Sequence, residues 1–296
     1  MNRMFKGYLF TILSAVIYGL IPVAAKIAYT NGMNSISLIF FRNFLAVPIL
    51  FTLTKMNKES AKLDSAKDFL KAAVLALLCT SITPLLLFTS YNYIPGGTAT
   101  TFHFIYPAVT ILGGVFLFKQ KANLGRFLCV ALCSLGIALF YTPGQELNFF
   151  GSAVALISGV TYALYILCLD RFKLSNMSRF KLTMYMSIVS SPVLLTAALV
   201  TDSFVMPANA TAWAISVLLA ALGGAAAGVF FQLGTQYVGG ERASILSTFE
   251  PITSIVLGVL VYQEALTVRS VLGTICVLAA TAMIAVLDMR STAKGE

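Results

Sequence analysis

Three ionisable side chains stand where hydrocarbon would penalise them. Glu250 lies between Phe249 and Pro251, about eight residues into an apolar run; His103 comes one turn before Pro107; Arg42 sits within FFRNF, beside Asn43. Ionisable groups at membrane depth are functional candidates by default. Glu250 is placed to carry a proton or bind a cation, or else to cap backbone groups that Pro251 frees. Arg42 either pairs with Glu250 or faces an anionic group on a solute, and the sequence leaves both open. His103 is either a hydrogen-bonded interior residue or part of a binding site. No further ligands stand at metal spacing around it, so no metal site and no cofactor are expected.

Softer polar groups recur around these three. Ser14 and Tyr18 share one helical face, as do Ser158 and Tyr162. Tyr106 joins His103 on the face that also carries Pro107, and Ser247 joins Glu250. Asn92, Gln232 and Gln236 add amides, with Tyr91 and Tyr93 flanking Asn92. A chamber lined by tyrosine, phenylalanine and amides suits a small, partly apolar organic solute better than a bare ion.

These residues lie on long apolar stretches that repeat. GTATTFHFIYPAVTILGGVFL (97–117) is matched 144 residues later by ERASILSTFEPITSIVLGVLV (241–261). Pro107 falls on Pro251, Gly114 on Gly258, His103 on Ser247 and Tyr106 on Glu250. The same offset sets Gly7, Ser14 and Tyr18 on Gly151, Ser158 and Tyr162. The chain therefore reads as one unit used twice, residues 1–144 and 145–296. Pro22, Pro107 and Pro251 are expected to kink or interrupt their spans. Gly113, Gly114, Gly224, Gly228 and Gly258 are expected to let helices approach closely.

Composition sets the medium. The 296 residues are 58% hydrophobic and 10% charged, with mean hydropathy +0.88. Soluble domains carry about 25% charged residues. Ten spans are expected, near 6–29, 34–54, 70–91, 97–118, 125–141, 150–169, 181–200, 212–236, 242–262 and 268–288. The polar stretch KMNKESAKLDSAKDFLK reads as an interfacial segment and TPGQELN as the border between halves. The first span reads as retained rather than as a cleaved signal. With the N-terminus in the cytoplasm, 17 lysines and arginines fall inside and one, Arg269, outside. Lys26 and Arg42 lie within spans. That asymmetry sets orientation, and it locates the +9 net charge in short loops, away from any nucleic-acid surface. Five cysteines without C-x-x-C read as small interior residues. Five spans per half is an odd number, so the halves are oppositely oriented. The fold expected is an all-α, polytopic membrane bundle of ten transmembrane helices in two inverted five-helix repeats. Inverted repeats permit two mirror-related states, each open to one face.

The duplication, Tyr106-Pro107 with Gly113-Gly114, and Phe249-Glu250-Pro251 followed by Gly258 and Tyr262-Gln263-Glu264 resemble the drug/metabolite transporter superfamily, in its ten-span EamA-type members. The resemblance implies a basket in which spans one to four and six to nine surround a central cavity. It also implies a glutamate just after spans four and nine; Glu264 fits and Gln120 departs from the pattern. Family members move amino acids, related metabolites and toxic cations. The expectation is a secondary transporter of the cytoplasmic membrane, both termini inside, exporting an amino acid or related metabolite. Proton coupling, exchange and gradient dissipation all stay open, because no nucleotide-binding loop is present. Efflux of cationic aromatic compounds is the alternative. An integral membrane enzyme fits poorly, for want of an acid or histidine cluster. The partners expected are a small solute and the lipid bilayer, with the protein a monomer or a weak homodimer.

Overall fold

The computed structural model describes residues 3–57, 65–118, 124–140, 148–172, 178–238, 243 and 246–292. The border stretch TPGQELN, apart from its last residue, and residues 58–64 of the polar stretch lie outside them. The described chain is all-α. In order it forms α1 (Arg3–Thr30), α2 (Ser35–Met56), α3 (Ala66–Leu75), a π-helical segment (Ala76–Ile82), α4 (Thr83–Ser90), α5 (Gly96–His103), α6 (Tyr106–Phe118) and α7 (Leu124–Ala138). It continues with α8 (Phe149–Phe172), α9 (Arg179–Val200), α10 (Ala210–Leu218), a second π-helical segment (Leu219–Ala226), α11 (Ala227–Val238), α12 (Phe249–Tyr262) and α13 (Val268–Thr292).

Seven helical stretches are long and apolar enough to cross a bilayer: Met4–Thr30, Ser35–Met56, Ala66–Ser90, Gly96–Leu117, Phe149–Leu169, Phe180–Val200 and Ala210–Phe231. Three shorter apolar helices accompany them, Phe127–Ala138, Phe249–Tyr262 and Val268–Ile284. The protein is thus a polytopic helical membrane protein.

Local chemistry explains the helix ends. Asn34 and Asn209 each accept an amide hydrogen bond through Oδ1, from Ser37 and Ala212, and Ser65 and Ser178 do so through Oγ, from Lys67 and Lys181. Asn34 and Ser178 stand 144 residues apart, and so do Ser65 and Asn209. The offset persists elsewhere. The helices α2 and α9 start and stop 144 residues apart, and the two π-helical segments both end at that offset, at Ile82 and Ala226. Gly7 fits against Tyr237 and Val238, while Gly151 fits against Tyr93 and Ile94, residues in the same relation.

Prolines act unequally. Proline lacks an N–H and its ring collides with the carbonyl four residues earlier. At Pro107 and Pro251 the helix opens one turn before, at Phe104–Ile105 and Ser247–Thr248. Pro22, Pro48 and Pro192 instead sit inside helices that continue through them. Helix α1 is thus not interrupted at Pro22. A Cβ on Gly96 would stand 2.7 Å from Pro22 Cβ, so α5 packs closely on α1 there.

Helix α1 packs on α11 and α12, α2 on α9, α8 on α4, α5 and α6, and α7 on α13. The largest core cluster joins Ile21, Ala25 and Ala28 of α1 to Leu38, Ile39 and Phe41 of α2 and Phe88 of α4. The packing of α7 on α13 is close: a Cβ on Gly136 would stand 2.8 Å from the Gly273 carbonyl, and one on Gly273 2.6 Å from that of Gly136.

Candidate functional site

Tyr18, Arg42, Tyr106, Tyr162 and Glu250 are each surrounded by protein, yet all keep accessible surface. These are the side chains from which a central chamber would be built. They come from α1, α2, α6, α8 and α12, so both sequence halves contribute.

The interrupted helices bring His103 to one wall. Its Nδ1 lies 2.9 Å from Ser158 Oγ, which itself donates to the Ala155 carbonyl at 2.6 Å. A serine hydroxyl has one proton. With that proton on Ala155, Ser158 accepts from His103 Nδ1–H, and Nε2 makes no hydrogen bond to a described residue. His103 lies tilted beside Tyr106 and Tyr162, with ring centroids 5.7 and 5.3 Å away, and those two tyrosines meet edge to face at 4.9 Å. Tyr165 extends the group, 5.5 Å from Tyr162. The carbonyl that Pro107 frees, that of His103, is covered by Gly159, where a Cβ would stand only 2.6 Å away. A larger residue at position 159 would push α8 off this wall.

Glu250 lies on the first turn of α12. Its carbonyl lies 2.7 Å from where a Cβ on Gly19 would be, so α1 runs close behind it. Its charge reaches the hydroxyls of Tyr18, Tyr91 and Tyr106. No basic side chain pairs with it among the described residues; the ion pairs found there are Lys26–Glu264 and Lys71–Asp68. Pairing of Arg42 with Glu250 is therefore not what the structure contains. Ser254, one turn on, is buried and lies 3.3 Å from Thr100 Oγ1 of α5.

Other expected residues separate into groups. Ser247 bonds back to the Ala243 carbonyl at 3.1 Å. Ser14, the counterpart of Ser158, is buried and donates to the Ala227 carbonyl at 2.7 Å, where it clamps α1 to α11 instead of facing the chamber. Asn92 is a second correction. Helix α4 ends at Ser90, and the following turn carries Asn92 to the surface, 3.3 Å from Ser35 Oγ. The side chains of Gln232 and Gln236 lie outside the described residues. Gly113 does meet a neighbouring helix, at Leu167, and Gly224 meets Ala46. Gly228 does not: it is exposed, and a Cβ there would stand 4.0 Å from the Tyr18 hydroxyl. Gly258 makes room for the Glu264 carboxylate of its own chain segment and not for another helix.

Glu264 closes one end of the molecule. Gln263 turns left-handed at φ 52°, and Glu264 N–H reaches back to the Gly258 carbonyl at 3.2 Å. That turn swings the carboxylate onto Lys26 Nζ at 2.5 Å and onto the Gly96 amide at 3.3 Å. Lys26 also lies 5.1 Å from the Tyr262 ring, whose hydroxyl donates to the Val23 carbonyl. Lys26 is thus committed to a pair joining α1, α5 and α12.

Sequence reasoning missed the stitching of the π-helical segment 76–82. Asn43 Nδ2 donates to the Thr80 carbonyl at 2.9 Å, and Ser81 Oγ donates to Ser190 Oγ of α9 at 2.8 Å. Asn43 beside Arg42 was the available signal. A groove between α1 and α10, lined by Ile17, Leu20, Ile215 and Leu218, is apolar.

The sequence pattern of the EamA-like transporter family matches the chain twice, over residues 5–142 and 149–286. An uncharacterized transporter of Archaeoglobus fulgidus is 26% identical over 274 residues, covering 90% of this chain and 92% of its own. The uncharacterized inner membrane transporter YicL of Salmonella typhimurium is 26% identical over 98% of both chains. A solved crystal structure superposes with a TM-score of 0.67 at 13% identity, over 96% of this chain and 98% of that one, which shows a shared fold.

Proposed function

This chain belongs to the EamA-like transporter family, a class of membrane transporters and not of enzymes, and from that premise we propose that it is a secondary transporter working by alternating access. Movement of small molecules across a membrane follows from the family; the cargo and the cycle are the proposal. The cargo is an amino acid or related metabolite, carried outward across the cytoplasmic membrane. Ten spans form two halves, 1–144 and 145–296, inserted in opposite senses with both termini inside. The 144-residue offset and the inside excess of lysine and arginine support that arrangement.

One observation carries the reading: Glu250 stands at the break of an interrupted span, enclosed yet accessible, with no basic partner among the described residues. Such a carboxyl alternates between holding a proton and holding a cationic group as the chamber opens to one face and then the other. Two interrupted helices from opposite halves supply the hinge.

The test is flux in proteoliposomes, with labelled amino acids and with or without a pH gradient. Glu250→Gln is expected to abolish gradient-driven flux while thermal unfolding stays unchanged. Unaltered rate and unaltered pH dependence in Glu250→Gln would remove Glu250 from the cycle. Flux of quaternary aromatic amines without flux of amino acids would favour cation efflux instead.

A further inference from the structure

Arg42 has five N–H donors, and none donates a hydrogen bond to a described residue. Its Nε is fully enclosed without a partner. The only described group recorded over its charge is the Phe88 ring, 5.8 Å from Cζ. Asn43, next in the chain, is by contrast fixed to the Thr80 carbonyl. The charge of Arg42 reaches the Tyr18 and Tyr91 hydroxyls and the Cys79 thiol. Behind it, Gly224 lets the second π-helical segment approach the Arg42 carbonyl, so the backbone here is held from both sides.

An enclosed guanidinium without a counter-charge is among the costliest arrangements a protein interior contains. One aromatic face recovers only part of that cost. Arg42 keeps some accessible surface, so a solute can reach it. No described residue supplies the missing partner.

We propose that Arg42 is the anchor for a carboxylate on the transported solute, gripped through the forked guanidinium, with the solute's amino group turned toward Glu250. The assignment rests on the transport reading above and names the class of its cargo: a zwitterion with separated acidic and amino ends. Both charges act on the Tyr18 and Tyr91 hydroxyls, and of the two Tyr18 keeps accessible surface. A dianionic phosphate would meet a single guanidinium and be opposed by Glu250. A purely cationic solute would be opposed by Arg42. A planar carboxylate matches the guanidinium fork in geometry as well as charge.

The test is counterflow in proteoliposomes of the full chain, with a labelled mixture of the twenty amino acids. Competitors are the free amino acids, their carboxamides and the decarboxylated amines. The free acids are expected to compete, and the other two sets to be weaker by about a hundredfold or more, since a site built around a charged partner rejects analogues that leave it unpaired. Arg42→Gln is expected to erase the difference between acids and amides, and Arg42→Lys to retain part of it. If Arg42→Gln fails to fold, Arg42→Lys carries the comparison. Equal competition by acids and amides in the unaltered protein overturns the anchor but leaves transport standing. Movement of no amino acid overturns the cargo reading and the anchor with it.

Discussion

His103 and Ser158 show how one hydroxyl proton can set the state of a site. Ser158 gives its proton to Ala155, so His103 must donate through Nδ1, and Nε2 is offered beside Tyr106 and Tyr162. His103→Asn keeps a donor for Ser158 and loses Nε2. His103→Phe keeps a ring and loses the hydrogen bond, at about 1 kcal/mol. Both variants are expected to fall well below normal flux, with the loss of stability confined to His103→Phe, as read by flux in proteoliposomes and thermal unfolding in detergent. Full flux in His103→Asn would make the histidine a framework residue. At this scale the ionisable residues were legible, because Arg42, His103 and Glu250 interrupt apolar runs. Asn92 was not, since the turn that follows a helix end decides where it points. Ser14 and Ser158 occupy matching positions and look alike in sequence; the difference lies in what the opposite helix presents to each.

Among helices, closeness at the Lys26 end comes from missing side chains. A Cβ on Gly19 would stand 2.6 Å from Thr253, and one on Gly97 would overlap Ile255, so α1 and α5 both press on α12. The Lys26–Glu264 pair locks the same three helices, with side-chain exposures of 20% and 12%. Glu264→Gln leaves Lys26 partly buried and unpaired, an expected loss of about 1–3 kcal/mol, between exposed and fully buried pairs. Replacing both by methionine is expected to restore most of it, because an apolar pair has no charge to desolvate. Thermal unfolding of the single and double variants checks this; equal losses in both would show that the pair is not the lock. The helix openings before Pro107 and Pro251 were legible from the missing N–H. The two π-helical segments were not, because no residue type marks an extra residue per turn; the first of them is bonded to Asn43 and Ser190 on neighbouring helices.

For the whole molecule, the duplication was the most legible feature, since matched helix caps, π-helical segments and glycine contacts follow the offset already visible in residues. The inverted arrangement predicts that Gln145 and Asn176 lie on opposite faces of the membrane. Single cysteines there, labelled in sealed vesicles, are expected to react from opposite sides; reaction from one side would undo the antiparallel halves. The most direct test of alternating access uses Gly228, which has room for a side chain beside the Tyr18 hydroxyl. A cysteine at position 228, in a chain whose five native cysteines are replaced, is exposed to a membrane-impermeant maleimide from each side in turn. The account predicts labelling from both faces, with the two rates shifting in opposite directions when transported solute is added. Labelling from a single face, unmoved by solute, would contradict it.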